Sequence, residues 1–382
     1  MLLSLCLASA LLSLLYIAAV VFLSRGLCRI SSGSPASPHN LKFSIVIAAR
    51  NEERAIKRCL NSVLNQTIGV SRYEVILVND RSTDATASIA GEVAARHPNL
   101  SIVSVRETPA GMSPKKYAVS LGIASASNEI VVFTDADCVV PPTWLQTIDR
   151  YFDEHTGLVQ GITTYERVAG INRLFFGLQA VDFLSHGVVA AAAIGAGLPI
   201  NSNANNFAFR KAAFDEAHGY GKLGSVVSGD DDLLLQRIWR SKKWRIRFMA
   251  DTAGKVTTLP TPTVRGVFEQ RKRWGSKTVH YNAGQVCLLV PVFLFYLATV
   301  AACCAGCFLP VAFALCGAML IVKLLGEMLL MMPGTKLFGE LALRKFLVLG
   351  SLVELPLVLS AVVLGVFGRF AWKGQRFART SR

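Results

Sequence analysis

Residues 129–137 read Glu-Ile-Val-Val-Phe-Thr-Asp-Ala-Asp. The run from Ile130 to Phe133 is β-branched and aromatic without a polar break, the composition of a strand buried on both faces. It ends in two carboxylates one residue apart, a pair that can hold a hard divalent ion already ligated by two phosphate oxygens. Asp135 and Asp137 are therefore the candidate metal ligands, and the ion would neutralise a diphosphate leaving group. Exposed turns produce Asp-x-Asp constantly; the strand in front of this one gives it weight.

Upstream the pattern repeats. FSIVIAA (43–49), YEVILVN (73–79) and LSIVSV (100–105) are further strand-like runs, separated by helix-like stretches after Asn51, after Ser82 and over residues 115–126. This alternation predicts an α/β fold with a mostly parallel sheet covered on both faces by helices. Ligands of such sheets bind beyond the carboxyl ends of the strands, and there stand Arg50-Asn51-Glu52, Asp80 and the Asp135–Asp137 pair. Asp80 can accept a hydrogen bond from a nucleobase N–H or a ribose hydroxyl. Asn51 or Glu52 can complete a nucleoside pocket, helix capping being the alternative for both, and Ser82 or Thr83 is expected to cap the helix that follows.

Lys115 and Lys116 stand at a predicted helix start, where the macrodipole disfavours cations unless an anion binds there too. They read as donor-phosphate contacts, with a solvated surface pair as the alternative. Downstream, Ser228-Gly229-Asp230-Asp231-Asp232 precedes a helical run, and three adjacent carboxylates should lift the pKa of at least one, which suits a general base. Gln270-Arg271-Lys272-Arg273-Trp274 combines guanidinium groups able to grip phosphate with an aromatic that can line a sugar or acceptor site. A juxtamembrane basic cluster beside an interfacial Trp explains the same residues equally well.

An apolar fraction of 52% with 17% charged residues in 382 argues for membrane association. Residues 2–24 carry no charge and are long enough to cross about 30 Å of hydrocarbon, with Arg25 and Arg29 next in line. The expected organisation is an anchor at 1–24, a Ser/Pro-rich linker at 25–41, a catalytic domain at 42–282, membrane helices within 283–369 and a basic tail at 370–382. About three carboxy-terminal transmembrane helices are expected, at 285–307, 309–332 and 346–368, the last interrupted by Glu354 and Pro356. An odd number of spans puts the basic tail outside, so one of these segments is a candidate for a re-entrant or interfacial helix. Residues 171–200 are apolar but carry Arg173, Asp182 and His186, which points to an amphipathic surface helix or a core helix rather than a span. Lys323 and Glu327, four apart, read as a structural ion pair.

The net charge of +15 falls on membrane flanks and short basic runs, which points to anionic lipid headgroups and a diphosphate and not to nucleic acid. Nine cysteines and six histidines show no metal-ligand spacing.

In order, Asp80, Asp135-Ala136-Asp137, Asp231 and Gln270-Arg271-Lys272-Arg273-Trp274 resemble the D, D-x-D, D, Q-x-x-R-W series of membrane-bound family 2 glycosyltransferases, which include ceramide glucosyltransferases and cellulose and hyaluronan synthases. The resemblance implies a GT-A type fold, a nucleotide-sugar donor (usually UDP-linked), Mg2+ or Mn2+, and inversion by one direct displacement. It places Asp80 on the nucleoside, Asp137 on the metal, Asp135 on nucleotide or metal, and Gln270, Arg273 and Trp274 at the diphosphate and acceptor. Asp231 would be the base, Arg237 matching the helix that usually follows. Gly229-Asp230 replaces the common Thr-Glu, which leaves Asp230 as the alternative base, and Arg81 puts a cation near the nucleoside pocket.

The acceptor is read as a lipid or a saccharide, with the catalytic domain at the cytoplasmic face of an inner membrane. A processive polysaccharide synthase is the alternative enzyme, for which three carboxy-terminal segments are few. A nonenzymatic nucleotide-binding membrane protein is the alternative outside catalysis.

Overall fold

The computed structural model describes residues 2–32, 38–226, 229–368, 370–372 and 375–377. Ser228, part of the expected linker and most of the expected basic tail lie outside the described residues. In chain order the strands are β1 (Phe43–Ala49), β2 (Tyr73–Asp80), β3 (Leu100–Val105), β4 (Ile130–Phe133), β5 (Thr156–Gly161), β6 (Thr163–Tyr165), β7 (Phe207–Arg210), β8 (Arg245–Met249) and β9 (Val256–Thr258). The helices are α1 (Leu2–Ser32), α2 (Ile56–Leu64), α3 (Thr86–Ala94), α4 (Pro114–Ser125), α5 (Trp144–Asp149), α6 (Arg173–Gly195), α7 (Lys211–Glu216), α8 (Asp232–Arg240), α9 (Val264–Gly275), α10 (Ala283–Gly306), α11 (Val311–Leu337) and α12 (Leu347–Phe367). They form two compact units, one holding the sheet and the other made of α1, α6 and the chain from Pro262 to Gly368.

In the sheet unit seven strands lie in the order β3-β2-β1-β4-β7-β5-β8. Only β7 runs against its neighbours β4 and β5. β6 and β9 pair in a separate parallel ribbon. Alternate residues of each central strand enter opposite cores: Phe43, Ile45, Val75, Leu77, Ile130 and Val132 meet α2, α3 and α5 on one face. Val46, Ile76, Val78, Val131 and Phe133 meet α4, α7 and α8 on the other. This two-sided burial is why the strands read as continuous apolar runs, each large aliphatic side chain contributing about 1.5–3 kcal/mol. The chain runs from β1 out to β3 and returns as β4 on β1's other edge, which makes a topological switch point between β1 and β4.

In the helical unit five helices are long and apolar enough to cross a membrane: Ser4–Ser31, Arg173–Gly195, Ala283–Gly306, Val311–Leu337 and Leu341–Phe367. α1 continues beyond the uncharged run to Ser32, and Pro356 sits inside α12 without ending it. The last turns of α1 and α6 touch backbone to backbone: a Cβ on Gly26 would lie 2.0 Å from the Ala192 carbonyl oxygen, and one on Gly195 would lie 2.1 Å from that of Gly26. Only glycine permits so close a crossing.

α6 meets the length and hydropathy of a span although it carries Arg173, Asp182 and His186. β5 precedes it and β7 follows it, yet the two strands pair, Leu158 opposite Phe209. α6 packs against Gly26 in the last turns of α1, Gly334 in the last turn of α11 and Phe346 at the entry to α12. Lys323 on α11 is fully buried, and its ammonium reaches Glu327, the Ser351 carbonyl (2.7 Å) and hydroxyl (3.1 Å), and Glu354 (3.4 Å). The Tyr296 hydroxyl donates to Glu327 at 3.0 Å, so the ion pair read from sequence is one part of a network joining α10, α11 and α12.

Candidate active site

Parallel register aligns the ends of the central strands: Ala49 of β1 stands opposite Asn79 of β2, and Val46 opposite Phe133 of β4. The residues that follow, Asn51, Asp80 with Arg81, and Asp135, thus emerge side by side at one sheet edge. Asn51 and Arg81 both hold a left-handed backbone, φ 54° each. Asn tolerates this conformation; for Arg it is uncommon and marks a constrained turn.

The Asn51 carboxamide oxygen accepts the Thr83 N–H at 2.8 Å, and the Glu52 N–H donates to the Thr86 hydroxyl at 2.8 Å. The first strand-end loop is thereby laced to the second, and Asn51 does not cap α2, whose N-cap is Ala55. Neither Ser82 nor Thr83 caps α3. Asp84 takes the Thr86 N–H (3.0 Å) and hydroxyl (2.5 Å) instead, and against some desolvation these bonds hold its carboxyl below the usual range.

Asp80 is buried, with Arg81 Nε at 2.9 Å from one oxygen and Arg50 Nη1 at 3.9 Å from the other. Arg81 Nη2 and Arg50 Nε are buried without a hydrogen-bond partner. The sequence placed a cation near Asp80. It did not reveal that two arginines flank this carboxylate and keep unused donors beside it.

Lys115 Nζ lies 2.9 Å from Asp135 and 2.9 Å from Asp230, tying β4 to the acidic stretch before α8. Desolvation opposes its charge, but the two carboxylates win and raise its pKa. Burial likewise opposes the charge of Asp230, yet Lys115 and then Lys116 bring its carboxyl down to about 2. The pKa lift expected from three adjacent acids is thus reversed at this position, because the lysines neutralise it. Lys116 is no solvated surface residue: only 1% exposed, it donates to the Leu223 carbonyl at 2.8 Å and lies 5.7 Å from the Tyr220 ring centre.

The three consecutive acids are differently employed. Asp231 accepts the Asp232 N–H (2.7 Å) on one oxygen and the Ala204 N–H (2.8 Å) on the other, capping α8. Asp232, fully buried, accepts the N–H and hydroxyl of Ser202. Asp230 faces Lys115.

Asp135 and Asp137 are half-buried, and the Thr134 hydroxyl beside them is buried without a partner. Among the described residues no group of three or more His, Cys, Asp or Glu could hold an ion unaided. Two hard carboxylates fit Mg2+ or Mn2+, which take one or two such ligands and complete their shell with phosphate and water. That Asp135 already accommodates the Lys115 ammonium shows a place suited to positive charge. Burial, then Asp137 and Asp135, push the Cys59 and Cys138 thiols well up, which disfavours the thiolate form.

Gln270, Arg273 and Trp274 lie half-buried on α9 in the helical unit. Arg271 between them is 4% exposed and forms an ion pair with Asp182 of α6, its Nε 2.7 Å from the carboxylate. Its Nη1 donates to the Gln270 carboxamide oxygen at 3.0 Å, and its guanidinium lies 3.9 Å from the Trp274 ring centre. His186, one turn from Asp182, meets the same ring edge-on at 5.1 Å. Asp182 and Arg271 were not singled out for this site; the available signal was an acid isolated in an apolar run.

The family model described as "Glycosyltransferase like family 2" matches residues 38–276. Among curated proteins the chain resembles the minor teichoic acid biosynthesis protein GgaB of Bacillus subtilis, 32% identical over 116 residues, 30% of this chain and 12% of that protein. Glycosyltransferase AglE of Haloferax volcanii is 34% identical over 103 residues, 27% of this chain and 33% of that protein. Beta-monoglucosyldiacylglycerol synthase of Synechocystis sp. is 26% identical over 241 residues, 60% of this chain and 46% of that protein. Each match thus spans less than half of the relative. The fold resembles mannosyltransferase PcManGT from Pyrobaculum calidifontis, solved in complex with GDP-Man and Mn2+, with a TM-score of 0.60, 18% identity and coverage of 94% of this chain and 98% of that one.

Proposed function

Since the chain belongs to glycosyltransferase-like family 2, we propose that it moves a sugar from a nucleotide sugar, a UDP-sugar in the first instance, to a hydroxyl of a membrane lipid, inverting the anomeric carbon. The observation that carries this reading is the meeting of Asp135 and Asp230 on Lys115 at the carboxyl edge of the sheet. A diphosphate leaving group needs charge neutralisation and an alcohol nucleophile needs a base, and these residues offer both. Five long apolar helices and the glycolipid-synthase relative favour a lipid acceptor over a saccharide.

Asp135 and Asp137 would hold Mg2+ or Mn2+, which when bound supplies positive charge to the diphosphate. Asp80, Arg50 and Arg81 would bind the nucleoside, the arginines through donors that Asp80 leaves unused. Lys115 and Lys116 would stabilise the departing diphosphate. As the acceptor oxygen bonds to the anomeric carbon and the bond from that carbon to phosphate oxygen breaks, the acceptor proton passes to a carboxylate. Asp230 is assigned this role because Asp231 is committed to two backbone amides; Lys115 holds Asp230 in its weakly basic form and would have to turn to the diphosphate to free it. Gln270, Arg273 and Trp274 are assigned from the motif to the diphosphate and acceptor. The arginines at the end of α1 put the sheet unit in the cytoplasm, with α6 as an interfacial helix.

The test is nucleoside diphosphate release from a panel of nucleotide sugars by membranes carrying wild type or Asp137→Ala, with and without Mn2+ and with lipid extract as acceptor. Metal-dependent release, lost in the variant by about 10^3-fold or more, is the expected result. No release from any donor by a folded, nucleotide-binding protein would refute transfer. A long polymer as product would indicate the processive alternative.

A further inference from the structure

We propose that Arg271 is a positioning residue, anchored by Asp182 of α6, that sets the orientation of Gln270 and Trp274. This rests on the assignment of the Q-x-x-R-W segment to substrate contact. Arg271 stands at an unspecified position of the Q-x-x-R-W pattern, yet it is the most buried of the five residues from Gln270 to Trp274.

A guanidinium has only donors, so the Gln270 atom 3.0 Å from Nη1 is necessarily the carboxamide oxygen. This fixes the amide against its flip and turns the NH2 away from Arg271. The planar face of the same guanidinium lies 3.9 Å from the Trp274 ring centre, which pins the indole plane. Arg271 in turn cannot rotate freely, since Nε and Nη2 both bond Asp182. His186 supports the arrangement from α6: its Nδ1 lies 2.7 Å from the Asp182 carbonyl, which can only accept, so that nitrogen carries the proton, and its ring abuts Trp274. Lysine at 271 would keep the charge opposite Asp182 but lose the fork and the flat face.

The experiment is a double-mutant cycle on the full-length membrane protein, with kcat and KM measured for donor and acceptor. Arg271→Lys is expected to lower kcat/KM about tenfold or more in the wild type, through misplacement of groups that must meet substrate. In the Gln270→Ala, Trp274→Ala background the same change is expected to have less than about a twofold effect, because Arg271 would act through those two side chains. An equal loss in both backgrounds, or none in the wild type, overturns the proposal. Gln270→Glu is the second variant: it strengthens the contact to Arg271 and removes the NH2, so the protein folds and loses turnover as Gln270→Ala does. Retained turnover in Gln270→Glu also overturns it. If Gln270→Ala with Trp274→Ala is itself neutral, the assignment of the motif to substrate fails, a result distinct from a motif that matters but adds independently of Arg271.

Discussion

The two units handle buried charge in opposite ways. In the sheet unit Asp135 and Asp137 are half-buried and Lys115 divides itself between two carboxylates. In the helical unit Lys323 is fully buried and faces Glu327, Ser351 and Glu354 at once, a closed set. The open set stands at the strand ends, its two aspartates half-buried. The closed set spends every donor internally and holds helices together. Similar residue types stand at the sheet edge in one place and lock helices together in the other, and the difference lies in access.

Three expectations test this contrast, from the largest effect down. Asp230→Asn is expected to lower kcat by about 10^2–10^4-fold with folding intact, the contribution of a general base. Asp231→Asn should mainly lower the thermal midpoint, because an amide NH2 meets the Ala204 N–H. If Asp231→Asn alone abolishes turnover in a folded protein, the base is Asp231 and the open site includes the helix cap. Next, Lys323→Met should destabilise by about 1–3 kcal/mol in detergent-solubilised protein, since it strands two half-buried carboxylates. Adding Glu327→Gln and Glu354→Leu should recover much of that loss if the network is architectural. Failure to recover, with activity lost, would make it functional.

The smallest effect is in acid. The Asp230 carboxyl is held down to about 2 in the folded protein, against 3.8 unperturbed. A depressed carboxylate stabilises fully above the unfolded pKa and loses that contribution as pH falls through the folded one. The Lys115–Asp230 pair should therefore support the fold above about pH 4 and fail progressively towards pH 2. The acid unfolding limb of Lys115→Met should begin at higher pH than that of wild type, measured by circular dichroism; coincident limbs would show that the pair does not stabilise the fold.

Much of the sheet was legible because its signal is local. β1, β2 and β4 are largely apolar runs with polar residues at or just beyond their ends, as burial on both sheet faces demands, and the edge strand β3 keeps a shorter apolar centre. β7 and β5 were not read, because the antiparallel insertion of β7 between β4 and β5 depends on a partner far along the chain. α6 illustrates the same limit: its composition is ambiguous between core, surface and span, and only the fold shows it packed against α1, α11 and the entry to α12.

By itself the sequence determined which residues could carry the chemistry: Asp80 and the Asp135–Asp137 pair at strand ends, the acids at 230–232, and the basic run with Trp274, since residue type and strand position are written in the order of the chain. Tertiary structure alone decided their partners. It set Arg81 and Arg50 on Asp80, gave Lys115 to Asp135 and Asp230, committed Asp231 to backbone amides and buried Arg271 against Asp182. Hydrogen bonds and ion pairs act over a few ångströms between residues that chain order separates by tens of positions, so only the folded path brings them within range.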